Sequence, residues 1–179
     1  MSKTILISER KIKNIIRKII KENFSDNLSY FPGNKYRYKT GGPHKHYDIP
    51  EDIRNALFIK NLGQVANKNV ILVDGGVIRD HIDVDFTTGG NPEVYGYVPE
   101  DELWVEAHVS EDRGNKDIAC SLLHEAVECE LMYDGLDYNS AHEEATKIES
   151  IYRHKEWDVE ENKITELIDM IFNDWNSKR

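Results

Sequence analysis

The chain has 179 residues, 39% hydrophobic and 31% charged. That length suits one domain with its own core, and that balance excludes general disorder. No run approaches the roughly 18–20 apolar residues of a membrane-spanning helix, and the N-terminal stretch lacks the continuous apolar segment of a secretory signal, so a cytoplasmic protein with no membrane partner is expected. The net charge of −10 is unevenly spread: residues 1–46 carry 11 Lys and Arg against 3 Asp and Glu, residues 47–179 carry 12 against 30. A basic arm therefore precedes an acidic body, and two parts are expected: a basic N-terminal helix with an irregular arm over 1–46, and a single α+β domain over 47–179.

The first predicted element is a helix over 8–23. Ile12, Ile15, Ile16, Ile19 and Ile20 recur at helical spacing behind Ser8 as a cap. Its other face is cationic, which suits either solvent or an anionic partner. Pro32, Gly33, Gly41, Gly42, Pro43 and Pro50 break up residues 24–50. Within them, Lys35-Tyr36-Arg37-Tyr38-Lys39 reads as a short strand, with stacking on nucleic-acid bases as the alternative use of its tyrosines. Nucleic acid is a possible partner of residues 8–46, but the acidic body would repel phosphate. His44 and His46 read as loop residues.

A short helix is expected over Glu51–Leu62. Strands follow at Val70–Val73, at Ile82, Val84 and Phe86 (alternating with Asp83 and Asp85), at Val94–Val98 and at Leu103–Val109. Tight turns between them, Gly89-Gly90-Asn91 among them, predict a small antiparallel meander. Asp83 and Asp85 read as the wet face of a strand, with cation binding as the alternative. From Lys116 the pattern turns helical, with helices expected near 116–133, 140–154 and 160–175. The last carries the stripe Ile164, Leu167, Ile168, Ile171, Phe172 and Trp175. Cys120 and Cys129 share one helix about 13 Å apart along its axis, too far for a disulfide, and read as core residues.

The chemistry-bearing stretch is Ser121 to Glu144. His124 and Glu128 stand at i and i+4, so their side chains rise from one helix face. On an ideal wheel the apolar residues of this helix cover an arc of about 220°, with Ser121, His124, Glu125 and Glu128 in the remainder. A helix apolar over so wide an arc is buried on most sides, and its polar strip then faces a cleft. Gly135 suits the helix C-terminus, and Ser140-x-x-Glu143 has the form of a capping box that starts the next helix. The short connection implies an antiparallel pair. Glu128 and His142 are equally far from Gly135, which brings them to one height. A divalent metal held by His124, Glu128 and His142, with water in an open position, follows as the candidate site. Glu125 is the candidate base that takes the water's proton. Glu149 lies two turns beyond His142 as a reserve ligand or supporting carboxylate. Tyr133, Tyr138 and His154 are candidates to stabilise an oxyanion.

At these residues the chain resembles zincin metallopeptidases, which carry His-Glu-x-x-His on a helix, a third ligand on a following helix, and an edge strand along the substrate cleft. Here His124-Glu125-Ala126-Val127-Glu128 stands for the motif, His142 for the third ligand, and Leu103-Trp104-Val105-Glu106 for the strand. The run also resembles small phage and mobile-element proteins, with a Leu-Leu-His-Glu-x-x-Glu helix, here Leu122 to Glu128, followed by Tyr-x-x-Ala-His-Glu, here Tyr138 to Glu143. Both resemblances cover about residues 70–155. The zincin resemblance implies a zincin-like fold, a bound zinc, and hydrolysis of a peptide or other amide bond in a peptide or protein substrate. Glu128 stands where zincins have a second histidine; carboxylate is a harder ligand, so iron or manganese also come into question. Two other functions fit the sequence. One is a magnesium cluster of Glu125, Glu128 and Glu144 or Glu149 for nucleotide pyrophosphate hydrolysis. The other is a phage or mobile-element accessory protein that binds a macromolecule through its basic arm.

Overall fold

A computed structural model of the chain describes residues 48–107 and 114–179. The expected helix at 8–23, the Lys35–Lys39 strand, His44 and His46 lie outside the described residues, as do the last two residues of the strand expected at 103–109. Helix α1 spans Glu51–Leu57, strand β1 Phe58–Val65 and strand β2 Lys68–Val73; helix α2 spans Gly75–His81, strand β3 Gly89–Gly90 and strand β4 Glu102–Glu106. Three helices complete the chain: α3 (Asn115–Tyr133), α4 (Tyr138–Arg153) and, after a 3-10 turn at Glu161–Lys163, α5 (Ile164–Asn176).

The fold is α+β, but its sheet is not the expected antiparallel meander. The four strands stand in the order β1-β2-β4-β3, and β2 pairs with β4 in parallel, Val70 opposite Leu103 and Val73 opposite Glu106. Two local features account for the difference. The helix expected to run to Leu62 ends at Leu57, and β1 takes over, because Ala66 and Asn67 (φ +53° and +60°) turn the chain back in a two-residue hairpin onto β2. Asp74 does not merely break a strand. Its carboxylate accepts from the backbone N–H groups of Gly76 (2.8 Å) and Val77 (3.2 Å) and starts α2. That helix supplies part of the crossover that a parallel pair needs.

The strands expected at 82–86 and 94–98 are turns. Asp83 is 1% exposed while Val84 is 46% exposed, the reverse of the alternation expected for a strand. The Asp83 carboxylate accepts from the backbone N–H of Asp85 (3.0 Å) and from the Tyr97 hydroxyl (3.3 Å), so it stitches a turn together. Phe86, Tyr95, Tyr97 and Trp104 form a run of tilted ring pairs with centroids 5.2–5.9 Å apart. Beyond the short β3–β4 pairing at Gly89 and Gly90, these rings hold residues 86–98 against β4 by packing.

Strand β4 is buried along its whole length. Its two carboxylates are each satisfied: Glu102 by Arg54 and by the Trp104 indole N–H (2.7 Å), Glu106 by Arg79 (2.5 Å). Helix α3 packs on β4 and β3, α5 packs on β1, and α4 packs on α3. Leu122, Leu123 and Val127 of α3 are fully buried, each worth about 1.5–3 kcal/mol of transfer free energy. Cys120 and Cys129 are free and buried, and burial pushes their thiols up to about 11 and about 12. They are core residues. No helix among the described residues is long and apolar enough to cross a membrane.

Candidate metal centre

The site is built on the α3–α4 hairpin. Gly135 adopts φ +98°, a conformation open to glycine at little cost. Its N–H reaches the Met132 carbonyl (2.9 Å) and that of Leu136 reaches Leu131 (3.0 Å), closing α3 in a Schellman motif. The expected cap at Ser140 is not used in that way. Asp137 caps α4 instead, accepting from the N–H groups of Asn139 (3.1 Å) and Ser140 (3.2 Å), and α4 starts two residues earlier than expected, at Tyr138. Along α4, Ala141, Ala145 and Ile148 are buried, at the i, i+4, i+7 spacing of one helix face. His142, Thr146 and Glu149 follow one residue behind each and line a cleft of about 380 Å³. Ser121, His124, Glu125 and Glu128 of α3 line the same cleft.

Three donor atoms converge there. His142 Nδ1 lies 2.7 Å from Glu128 Oε1 and 3.1 Å from His124 Nε2, and His124 Nε2 lies 3.6 Å from Glu128 Oε1. Among the described residues, His124, Glu128 and His142 are the group of His, Cys, Asp and Glu whose donor atoms gather closely enough to hold an ion. The other His124 nitrogen, Nδ1, meets Glu149 Oε2 at 2.9 Å. Glu149 is held in turn: Arg153 Nε donates to its Oε1 (2.9 Å), and Arg153 also pairs with Asp117. A carboxylate on the far nitrogen of a ligating imidazole fixes the ring's tautomer and orientation. The Tyr138 ring stacks on His142, centroids 5.4 Å apart.

Electrostatics follow from burial and from the crowding of carboxylates. Burial pulls the His124 imidazole down, but Glu128, Glu149 and Glu125 outweigh it and raise it to about 10. Burial, reinforced by the charge of Glu128, pushes the Glu125 carboxyl well above the usual range. The same burial acts on Glu128, yet His124, His142 and Asn91 hold it below its ordinary value. Glu149 is likewise held low against burial, by His124 and Arg153.

Several expected site residues stand elsewhere. Tyr133 is 78% exposed at the end of α3 and does not line the cleft. His154 is exposed and bonded to Ser150. Glu144 pairs with Lys147 at 3.4 Å on the outer face of α4. Glu149 is engaged by His124 and Arg153, so neither candidate for the third carboxylate of the magnesium cluster stands free beside Glu125 and Glu128. Strand β4 does not border the cleft. It is interior, between β2 and β3, and the residues that reach the cleft from outside the hairpin are Thr87 and Thr88, which lead into β3, and Val94 and Tyr95, which follow it. Asn91, expected only as a turn residue, also reaches the site: its Nδ2 donates to Glu125 Oε2 (2.9 Å) and Glu128 Oε2 (2.8 Å). Its signal was the Gly89-Gly90-Asn91 tripeptide: a Cβ on Gly89 would lie 2.7 Å from Glu125 Oε1, so only glycine lets this backbone reach the helix.

Comparison with protein families, with curated proteins and with solved structures finds no match to this chain.

Proposed function

We propose that the protein is a metal-dependent hydrolase, zincin-like in its site chemistry, which cleaves a peptide or other amide bond with metal-activated water. The observation that carries this reading is the donor triangle. Its edges measure 2.7, 3.1 and 3.6 Å. Tetrahedral zinc bound at 2.0–2.1 Å separates its nitrogen and oxygen donors by about 3.3 Å. A proton shared between two groups accounts for one edge of such a triangle, not for a third donor at the same point. Two imidazoles and one carboxylate suit zinc, with iron or manganese as the harder alternatives. The buttress of Glu149, Arg153 and Asp117 behind His124 supports the same reading, since ligating histidines carry such partners.

In this scheme the metal supplies a water of lowered pKa. Glu125 belongs to the same cleft, and burial raises its basicity above that of an ordinary carboxylate, which suits a group that accepts a proton and later returns it. Tyr138 also lines the cleft, beside His142, and is the remaining oxyanion candidate. The described lining residues include no Lys or Arg. This favours an uncharged amide over a phosphate ester, which would need cations to receive its charge. Thr87 and Thr88, beside the short antiparallel edge strand β3, suit a peptide substrate.

The test is metal content of protein purified without chelator or affinity metal. About one zinc, iron or manganese per chain, lost in both His124→Ala and His142→Ala, is the expected result. Amide hydrolysis should then vanish in Glu125→Gln while the metal stays. Equal metal content in wild type and both histidine variants would refute the site.

A further inference from the structure

Asn91 is fully buried beneath the cleft, and its side chain has no bonding capacity to spare. The two hydrogens on Nδ2 go to Glu125 Oε2 and Glu128 Oε2, at 2.9 and 2.8 Å. Its Oδ1 accepts from the backbone N–H groups of Glu93 (3.1 Å) and Val94 (3.2 Å). This pattern fixes the amide's orientation, because the flipped rotamer would set oxygen against two carboxylates and NH₂ against two N–H donors. Glu128 is thereby divided. Its Oε1 faces the two imidazoles, and its Oε2 is tied to the amide.

A carboxylate ligand can bind a metal through one oxygen or through both. In a site with three protein ligands the difference matters, since a second oxygen from the same carboxylate would occupy the position that water needs. We propose that Asn91 is a positioning residue: it holds Glu128 as a one-oxygen ligand, and by the same amide it yokes Glu125 to the metal-facing carboxylate, so that the open coordination position and the base are kept side by side. Glu125 Oε2 can be no farther from Glu128 Oε2 than two hydrogen-bond lengths through Nδ2. The inference rests on the metal-centre reading above. The backbone around Asn91 is shaped to this end. Gly89 leaves room for Glu125, a Cβ on Gly90 would come within 3.0 Å of the Tyr95 ring, and the Asx turn at Glu93 and Val94 locks the amide in place.

The experiment uses cobalt(II) as the probe, in the full-length protein freed of metal and in its Asn91→Ser variant. Serine can accept from the same turn N–H groups but carries no amide hydrogens for the two carboxylates. Affinity is read by competition with a chromophoric chelator, and coordination by the visible cobalt bands. Wild type should show the intense bands of a four-coordinate site. The variant should bind about 10-fold more weakly and show the weak bands of higher coordination. An unchanged spectrum and affinity in Asn91→Ser overturns the proposal, as do weak bands in wild type. The wild-type spectrum decides alone if the variant does not fold. Absence of cobalt uptake by wild type would instead sink the metal centre itself, and this inference with it.

Discussion

Glu149 offers the sharpest quantitative test of the proposed metal site, because it would act on metal binding in two opposed ways. Its Oε2 orients His124 from behind at 2.9 Å. Removing such a partner costs 10–100-fold in metal affinity, or about 1.4–2.7 kcal/mol. The same carboxylate also helps raise His124 to about 10, and a metal must displace that proton. At neutral pH the displacement works against binding by about 1.4 kcal/mol for each pH unit below the imidazole's value. Glu149→Ala loosens the ring but also lowers the proton's hold, so at neutral pH the second effect offsets part of the first. Its affinity deficit should therefore widen as pH rises toward 9. Glu149→Gln retains a neutral acceptor for Nδ1 and should lose less than Glu149→Ala at every pH, near the lower end of the range. The assay is zinc competition against a chromophoric chelator at several pH values, with far-UV circular dichroism to confirm folding. If Glu149→Ala matches wild type throughout, Glu149 does not orient a ligand. A deficit independent of pH would show that it does not hold the His124 proton.

Two further outcomes follow from the same geometry. Metal-free protein should lose stability in alkali. His124 is raised from 6.5 to about 10 in the fold, so its contribution, on the order of a few kcal/mol, is complete below about 6.5 and lost as pH rises toward 10. Glu125, whose proton the fold also favours, acts in the same sense. Thermal melts of metal-free protein should fall across that window and those of zinc-loaded protein should fall less, whereas equal slopes would remove His124 as the cause. Gly89→Ala places a methyl 2.7 Å from Glu125 Oε1 and 2.8 Å from its Cγ. Displacement of a buried side chain should cost about 1–3 kcal/mol in chemical denaturation. Metal stoichiometry should survive, since His124, Glu128 and His142 lie outside that clash. A variant as stable as wild type would mean that β3 does not press on the helix as described.

The parts of the molecule legible in the sequence are those made by neighbours along the chain. The α3–α4 hairpin follows from Gly135, from the apolar arc around Leu122, Leu123 and Val127, and from the equal offsets of Glu128 and His142. It places those two side chains 2.7 Å apart. Even there a local competitor won, since Asp137 displaced Ser140 as the cap. The sheet was much less legible because its pairing is not local. Strand β2 finds β4 in parallel across an intervening helix and turns. Strand β3 is two glycines with no side-chain pattern at all. Strand β1 was hidden by a helical signal that the Ala66-Asn67 turn overrides. The alternation of Ile82, Val84 and Phe86 misled because Asp83 earns its burial through Tyr97 and the turn at Asp85, a partnership invisible to a periodicity argument.

That division between local and distant contacts also runs through the site. His124, Glu128, His142 and Glu149 all sit on two sequential helices, so the hairpin alone brings the donors and the buttress together. Glu125 is different. Being next to His124 in sequence only turns it about 100° away on the helix. The groups that hold it are Asn91, 34 residues earlier, and the bare backbone at Gly89. Both reach α3 only once β3 has paired with β4, Gly90 opposite Trp104, and the aromatic run from Phe86 to Trp104 has packed. A chain with the hairpin formed and the sheet edge misplaced would keep the proposed metal ligands together and lose control of Glu125, the proposed base. Substitutions at the sheet edge should therefore cost hydrolysis more than metal binding, which Asn91 supports only through Glu128, while substitutions in the hairpin should abolish both.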